Sequence, residues 1–413
     1  MKKLFLLILI LASNLFAQGW NDIVTTEIEE PVETDIFTNS SGIHILIRTS
    51  SEGDIVYYNL NSEGDVVKTV TFETIGYFPN IIGSNNIIYA IYKTGNNIRV
   101  RYSTDNGESW FYDVQDRPTT ANYCNGVDAV YQEGLSGGVH LVWATKDGGA
   151  SGFETYYYRL NTSNQWVEGK NVTDDDAAQY GGNPSVAVSP NRVHVSFNTD
   201  PTTNNYGLGD VKTRDKYNGN WETPQLVVPA PNEQKSLDER LLVRDGYLYL
   251  FYNREHPGTY PNDLVYKRRS VGGTSWSDFP PLESETLYQF EDAFEITKTT
   301  NDNIHILYKK TMGSPIGWAY AYKYYDGTNW ITPDPHILDY NSVGLRQIGL
   351  SSVSNDLFCT WVKSGTPYLH YRQWDDIPLA PTGLTITEDA NHHPRLNWNV
   401  SPEPDRNIYK IYR

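Results

Sequence analysis

One short pattern recurs from end to end of the chain. Ile43-His44-Ile45-Leu46-Ile47 is followed by Ile88-Tyr89-Ala90-Ile91-Tyr92, Val139-His140-Leu141-Val142-Trp143 and Val193-His194-Val195-Ser196-Phe197. Leu248-Tyr249-Leu250-Phe251-Tyr252, Ile304-His305-Ile306-Leu307-Tyr308 and Leu357-Phe358-Cys359-Thr360-Trp361 complete seven copies, spaced 45, 51, 54, 55, 56 and 53 residues apart. Each unit is too small to bury an apolar face alone, so such a repeat builds a stacked or radial array.

Every copy leads into a second aromatic-rich run, such as Tyr156-Tyr157-Tyr158 or Tyr320-Ala321-Tyr322. Most then reach a Gly/Asn/Asp/Ser turn and a tryptophan: Trp110, Trp166, Trp221, Trp276, Trp330 and Trp374. The first copy has the turn Ser62-Glu63-Gly64-Asp65 without a tryptophan. β-Branched and aromatic runs bounded by turn residues read as strands. Beyond the leader, no segment holds a helical period. A period near 50 with three or four short strands is the size of a propeller blade. The sequence therefore predicts an all-β, seven-bladed β-propeller over residues 18–376. Trp20-Asn21-Asp22-Ile23-Val24 resembles Trp330-Ile331-Thr332-Pro333. Residues 20–30 are thus expected to supply the outer strand of the last blade, leaving no open edge.

Residues 1–17, MKKLFLLILILASNLFA, form two lysines, an apolar core and small residues, as in a bacterial secretory leader cut near Ala17. The run is too short for a membrane anchor, so a secreted or cell-surface product is expected. The formal charge is −17, and loss of Lys2 and Lys3 deepens it. Such a surface repels nucleic acid and anionic membranes. Cys124 and Cys359 fall in copies that are not ring neighbours. Disulfide geometry then excludes pairing, and two buried free thiols are expected. No metal-ligand spacing occurs, and neither metal nor cofactor is expected.

Ser103-Thr104-Asp105-Asn106-Gly107-Glu108-Ser109-Trp110 fits S-x-D-x-G-x-x-W. Chemically it is a turn lock: Asp105 can accept backbone N–H bonds, Gly107 permits positive φ, and Trp110 packs between sheets. The octet resembles the Asp-box (BNR repeat), and residues 20–376 resemble the sialidase-like superfamily of secreted propellers. The resemblance implies that this turn joins the third and fourth strands, on the face away from the active site. Two features depart from sialidases: seven copies rather than six, and Arg48 in Ile47-Arg48-Thr49-Ser50 without the R-I-P motif. The tail, 377–413, resembles a fibronectin type III domain, a β-sandwich truncated after three strands. Pro378-Leu379-Ala380-Pro381, Leu396-Asn397-Trp398 and Ile408-Tyr409-Lys410-Ile411-Tyr412-Arg413 carry that likeness.

His44, His140, His194 and His305 share a repeat position with Tyr89, Tyr249 and Phe358. A metal site cannot use phenylalanine, so these are read as packing residues. Binding groups on a rigid scaffold collect in loops. The loops leading into the innermost strands are expected to offer Asp35, Asn80, Asn125, Asp128, Asn183, Asp238, Glu239, Arg240, Glu291, Asp292 and Arg346. Those joining second and third strands offer Arg48, Lys93, Lys146, Arg254, Glu255, His256, Lys309 and Lys310. The segments 199–209 and 253–262 are the longest such loops, with Tyr206 and Tyr260 as platforms for a sugar ring.

Two functions follow from this reading. The first is a non-enzymatic extracellular recognition module, binding carbohydrate through Arg48, Asp238, Arg240, Arg254, Tyr260 and Arg346. The second is a polysaccharide-active enzyme, a sialidase-type hydrolase or a lyase. Its catalytic groups would come from Glu239, Glu255, His256, Glu291 and Asp292.

Overall fold

The computed structural model describes residues 19–397 except 21–22, 30, 50–52, 119–123, 135–136, 147–152, 174–179, 201–209, 230–235, 257–258, 288–293, 314–316, 334–336, 342–344, 364–367, 376–384 and 389–393. Among the described residues every regular element is a strand, and the strands form seven antiparallel blades plus a separate hairpin. The innermost strands are Pro31–Asn39, Tyr77–Gly83, Cys124–Gln132, Tyr180–Ser189, Ser236–Arg244, Phe294–Lys298 and Leu345–Val353. The seven repeated runs form the second strands: Gly42–Thr49, Ile88–Thr94, Gly138–Lys146, Arg192–Asp200, Tyr247–His256, Ile304–Gly313 and Asp356–Lys363. The aromatic-rich runs form the third strands, from Ile55–Leu60 in blade 1 to Tyr368–Asp375 in blade 7. A bridge between Leu287 and Lys310 ties blades 5 and 6 together.

Each innermost strand touches the next around the circle, and the last touches the first. The ring is sealed as the sequence predicts. Gly19–Trp20 and Val24–Glu29 pair with the third strand of blade 7, in register Trp20 with Trp374, Val24 with Tyr371 and Thr25 with His370. One detail differs from the sequence reading. Trp374 is not the turn tryptophan of the last copy but a third-strand residue. Its strand partner Trp20 takes the outer-strand place that Trp221 and Trp330 hold elsewhere. The turn of blade 7 is split between the two ends of the chain, so the linear order hides it.

The apolar core lies between blades rather than inside one. Among the described residues seven buried clusters occur, one at each blade interface. Sheets stacked face to face need flat, bulky side chains on both faces, which the 31 tyrosines and 11 tryptophans supply.

A recurring lock crosses these interfaces. The second-strand histidine bonds a third-strand tyrosine through Nδ1: His44 with Tyr57 at 2.8 Å, His140 with Tyr157 at 2.8 Å and His305 with Tyr322 at 2.6 Å. The same tyrosine meets the tryptophan of the next blade, Tyr57 with Trp110, Tyr157 with Trp221 and Tyr322 with Trp20. Burial holds His44 down to about 4, and His140 and His305 to about 3, so all three are neutral at pH 7. In blade 4, Thr213 replaces the tyrosine, and His194 bonds Asp215 at 2.9 Å instead. Arg269 of blade 5 answers that buried carboxylate with two bonds, 2.6 and 2.8 Å, beneath Trp276. The histidines are packing residues, as expected.

The 103–110 turn has the expected chemistry. Asp105 Oδ1 accepts the Ser109 N–H at 2.9 Å and the Ser103 hydroxyl at 2.8 Å. Asn106 and Gly107 both have positive φ, 59° and 86°. A Cβ on Gly107 would overlap the Tyr57 ring. Cys359 is buried as a free thiol, and burial pushes its titration upward. Cys124 lies in a strand, with its side chain outside the described set. The tail shows a hairpin, Thr385–Glu388 with Pro394–Asn397. The rest of the proposed fibronectin-like tail, 377–384, 389–393 and 398–413, lies outside the described residues.

Candidate functional site

We call "top" the face bearing the loops into the innermost strands and those between second and third strands. Near that face six of the seven innermost strands carry a register shift, for example between Tyr77 and Asn80 and between Leu237 and Arg240. Bulges of this kind bend a strand and re-aim its side chains.

Just below the bulges lies one equivalent position per blade: Asp35, Asn80, Asp128, Ser185, Arg240, Glu295 and Gly349. The sequence reading put Asp35, Asn80, Asp128 and Arg240 in loops. They are strand residues instead, because the bulged strands extend further than their apolar cores. Their side chains reach across to the next blade. Asp35 accepts the Ile81 N–H at 2.7 Å, Asp128 accepts the Val186 N–H at 2.8 Å, and Ser185 Oγ accepts the Leu241 N–H at 3.0 Å. Arg240 forks onto Glu295 at 2.6 and 3.2 Å. An innermost strand has one unpaired edge, and these clasps satisfy its amides. Burial pushes Asp35 up to about 7, against the pull of the Ile81 and Ile36 amides, and the charges of Glu295 and Asp128 push the same way. Burial also raises Asp128, with Arg240 opposing it.

A second cluster sits on the rim between blades 1 and 2. Arg48 pairs with Glu33 at 3.0 Å, and the other Glu33 oxygen accepts the Phe78 N–H at 2.8 Å. Phe78 has φ 55°, a costly backbone for a bulky residue that persists only where neighbours hold it. Gly76 donates to the Gly53 carbonyl at 2.8 Å, and a Cβ there would overlap Ile55. These contacts fix a short segment that presents Ile75, 58% exposed, and Tyr77, 37% exposed. Arg48 lies 4.4 Å and Lys93 5.2 Å from the Tyr77 ring centroid, and Lys93 donates to the Gly95 carbonyl at 2.8 Å. Glu33, Ile75, Tyr77 and Phe78 escaped the sequence reading, which sought polar loop residues. An aromatic directly after Gly76 was the available signal.

The other candidates are placed as follows. Arg254 pairs with the buried Asp263 at 2.6 Å, and Glu239 is fully buried. Lys310 and Lys323 hold Glu283 at 3.0 and 2.7 Å. Burial opposes ionisation of Glu283, but the Lys323, Lys310 and Tyr308 bonds take it down to about 2. Lys309 is buried. The segment 253–262 is not a loop: the second strand of blade 5 runs to His256 and the third begins at Thr259, with His256 opposite Thr259. Ladder pairing therefore extends beyond the apolar run on both strands. Glu255, His256 and Tyr260 are therefore strand residues. Asn125, Lys146, Asn183, Asp238 and Arg346 also lie in strands. The side chains of these eight are outside the described set, as are Tyr206, Glu291 and Asp292 entirely.

Sheet order, a complete circle of blade contacts and closure by the first strands define a seven-bladed β-propeller. Among solved structures the chain is similar to the Hadza microbial sialidase Hz136, at 13% identity and TM-score 0.48, covering 80% of this chain and 75% of that one. It is similar to Trypanosoma rangeli sialidase in complex with sialic acid, at 10% identity and TM-score 0.46, covering 85% and 60%. It is also similar to the β-propeller domain of the Trilobed protease from Pyrococcus furiosus, at 10% identity and TM-score 0.49, covering 84% and 96%. At these values the likeness carries no functional argument. No family model matches the chain, and no curated protein matches it by sequence.

Proposed function

We propose that the chain is an exported bacterial recognition module that binds carbohydrate on the top rim of its propeller, with Tyr77 as the stacking residue. The observation that carries this reading is the Ile75–Tyr77 segment. It offers exposed apolar surface on a backbone clamped through Glu33 and Phe78, beside the polar heads of Arg48 and Lys93. Rigid aromatic anchors with adjacent hydrogen-bonding groups are the usual makers of a binding hot spot. Arg48, Arg240 and Arg254 are each held by a carboxylate; Arg48 still lies over the exposed Tyr77 ring and so borders the site, while Arg240 and Arg254 act as supports. In this reading residues 1–17 are the leader, the 103–110 turn is an Asp-box, and 377–413 begin a fibronectin type III spacer.

A glycan panel tests the proposal. The mature chain should bind a subset of glycans. Tyr77→Ala should weaken that binding at least about tenfold, or about 1.4 kcal/mol, without moving the unfolding midpoint. Silence across the panel, or binding indifferent to Tyr77, refutes it.

The enzymatic alternative would draw on Asp35, an innermost-strand carboxyl whose oxygens accept the Ile36 and Ile81 amides and which burial pushes up to about 7. A carboxylic acid still protonated near neutrality is what glycosidic-bond cleavage requires. Its partners would come from Glu239, Glu255, His256, Glu291 and Asp292. Release of reducing ends or unsaturated products, abolished in Asp35→Asn, would establish this reading in place of the first.

A further inference from the structure

The opposite face carries a feature that the repeat does not require. At the bottom, tyrosines of three consecutive blades each lie under an arginine, one from blade 4 and two from blade 5: Arg192 over Tyr217 at 4.1 Å, Arg268 over Tyr247 at 4.7 Å and Arg244 over Tyr325 at 4.9 Å. Two of these arginines are neutralised, Arg192 by Glu222 at 2.9 Å and Arg244 by Asp245 at 3.1 Å.

Arg268 differs. Among the described residues no carboxylate lies within ion-pair distance of it. Its guanidinium lies over three rings, Tyr247, Tyr249 at 5.8 Å and Phe279 at 5.0 Å, and one N–H reaches the Tyr249 hydroxyl at 3.4 Å. The Tyr249 hydrogen bond holds the Arg268 guanidinium above its ordinary value, against the opposing effect of burial.

The neighbouring surface is prepared for contact. Tyr247 is 41% exposed, while the other six blades place Gly42, Ile87, Gly138, Arg192, Asn303 and Asp356 at that position, none of them aromatic. It follows a two-residue hairpin turn, Asp245 and Gly246, both at positive φ (48° and 74°), which holds the ring on a stiff strand end. The fold therefore needs neither the aromatic nor the uncompensated charge. The rings hold Arg268 in place but leave its charge without a carboxylate, and a repeat that departs from its own pattern in this way points to function.

A guanidinium has five donors in a planar fork, and a carboxylate or sulfate accepts two in parallel. Ring stacking orients the fork before any ligand arrives. We propose that Arg268 and Tyr247 form a bottom-face site for an acidic saccharide unit, its carboxylate or sulfate on Arg268 and its ring against Tyr247. The site is independent of the top-rim reading. One arginine without a carboxylate partner at this site, on a chain of net charge −17, does not suit a dense polyanion or an anionic membrane, which need clustered basic residues. It suits a glycan in which acidic residues are spaced among neutral ones.

The test titrates the whole mature chain with three oligosaccharides followed by ligand-observed NMR: one containing a hexuronate, its carboxyl-reduced counterpart, and a sulfated analogue. Binding of either acidic ligand, at least about tenfold tighter than the reduced one, supports the site and tells which anion it takes. Arg268→Gln and Tyr247→Ala should each lose about tenfold or more, Arg268→Lys should recover only part, and Tyr77→Ala should change nothing. A urea midpoint for each variant separates binding loss from unfolding. Equal binding of acidic and reduced ligands, unchanged binding in Arg268→Gln, or no binding of any ligand overturns the proposal. Loss confined to Tyr77→Ala also overturns it and leaves the top-rim reading standing.

Discussion

Arg269→Met should expose how blades 4 and 5 are joined. Arg269 has no exposed side-chain surface and Asp215 has 4%, with the two contacts at 2.6 and 2.8 Å. After the substitution Asp215 keeps His194 at 2.9 Å and Arg192 at 3.6 Å. Breaking a buried pair from one side costs about 3–5 kcal/mol. The remaining partners put this case near the lower end, about 3 kcal/mol. The loss should also depend on pH. Burial pulls the Asp215 carboxyl upward, but the bonds and charges of His194 and Arg269 outweigh that and hold it below its usual value. A carboxylate depressed on folding contributes stability above the unfolded value of about 3.9 and loses it as pH falls through the folded one. Without Arg269 the folded value rises, so the deficit is full at pH 7 and shrinks below about pH 4. Urea unfolding at pH 7, 5 and 3.5, followed by tryptophan fluorescence, measures it. Adding Asp215→Asn should restore part of the stability by removing the buried charge. A loss under about 1 kcal/mol, well below the cost of a broken buried pair, or a loss equal at all three pH values, refutes the reasoning.

Three further outcomes follow from the same contacts. The buried histidines titrate far below the unfolded value of about 6.5, so the unfolded chain takes protons first and stability falls as pH drops from 7 to 5. His140→Phe should lose about 2 kcal/mol less than the wild type over that interval, and an identical slope contradicts its neutrality. Trp20→Ala should cost about 3–5 kcal/mol, with Trp20→Phe milder and the exposed Ile23→Ala nearly silent, because Trp20 is buried against Tyr322 and Trp374. Equal thermal midpoints for Trp20→Ala and Ile23→Ala would count against that packing. Gly107→Ala combines positive φ with overlap on the Tyr57 ring and should lower stability by more than about 1 kcal/mol, and a neutral calorimetric result would refute the role given to that turn.

The architecture was legible because the repeat is written in residues that the fold itself requires. Each second strand needs a β-branched and aromatic run, so Ile43–Ile47 and its six echoes mark the blades directly. The closing strand was readable for the same reason, since Trp20 must fill the gap between sheets that Trp221 and Trp330 fill elsewhere. The top face was harder. Bulges leave no mark on composition, so Asp35 and Asp128 looked like loop carboxylates although they clasp strand edges. The 253–256 and 259–262 segments looked like loop because Pro257 and Pro261 interrupt them, yet the ladder continues. Arg268 and Tyr247 were passed over because pattern reading rewards sameness between copies, and their significance lies in departing from it.

The account rests on a ring sealed by its own first strands. A Thr25→Cys/His370→Cys double variant tests this most directly, because the two residues are register partners with Thr25 Oγ1 3.4 Å from His370 Nδ1. Opposite residues of an antiparallel pair lie within disulfide reach. The account predicts that the pair oxidises in the folded protein, seen as one linked peptide by mass spectrometry, and that the unfolding midpoint rises. Two thiols that stay free while the chain keeps its native β spectrum would contradict the closed ring.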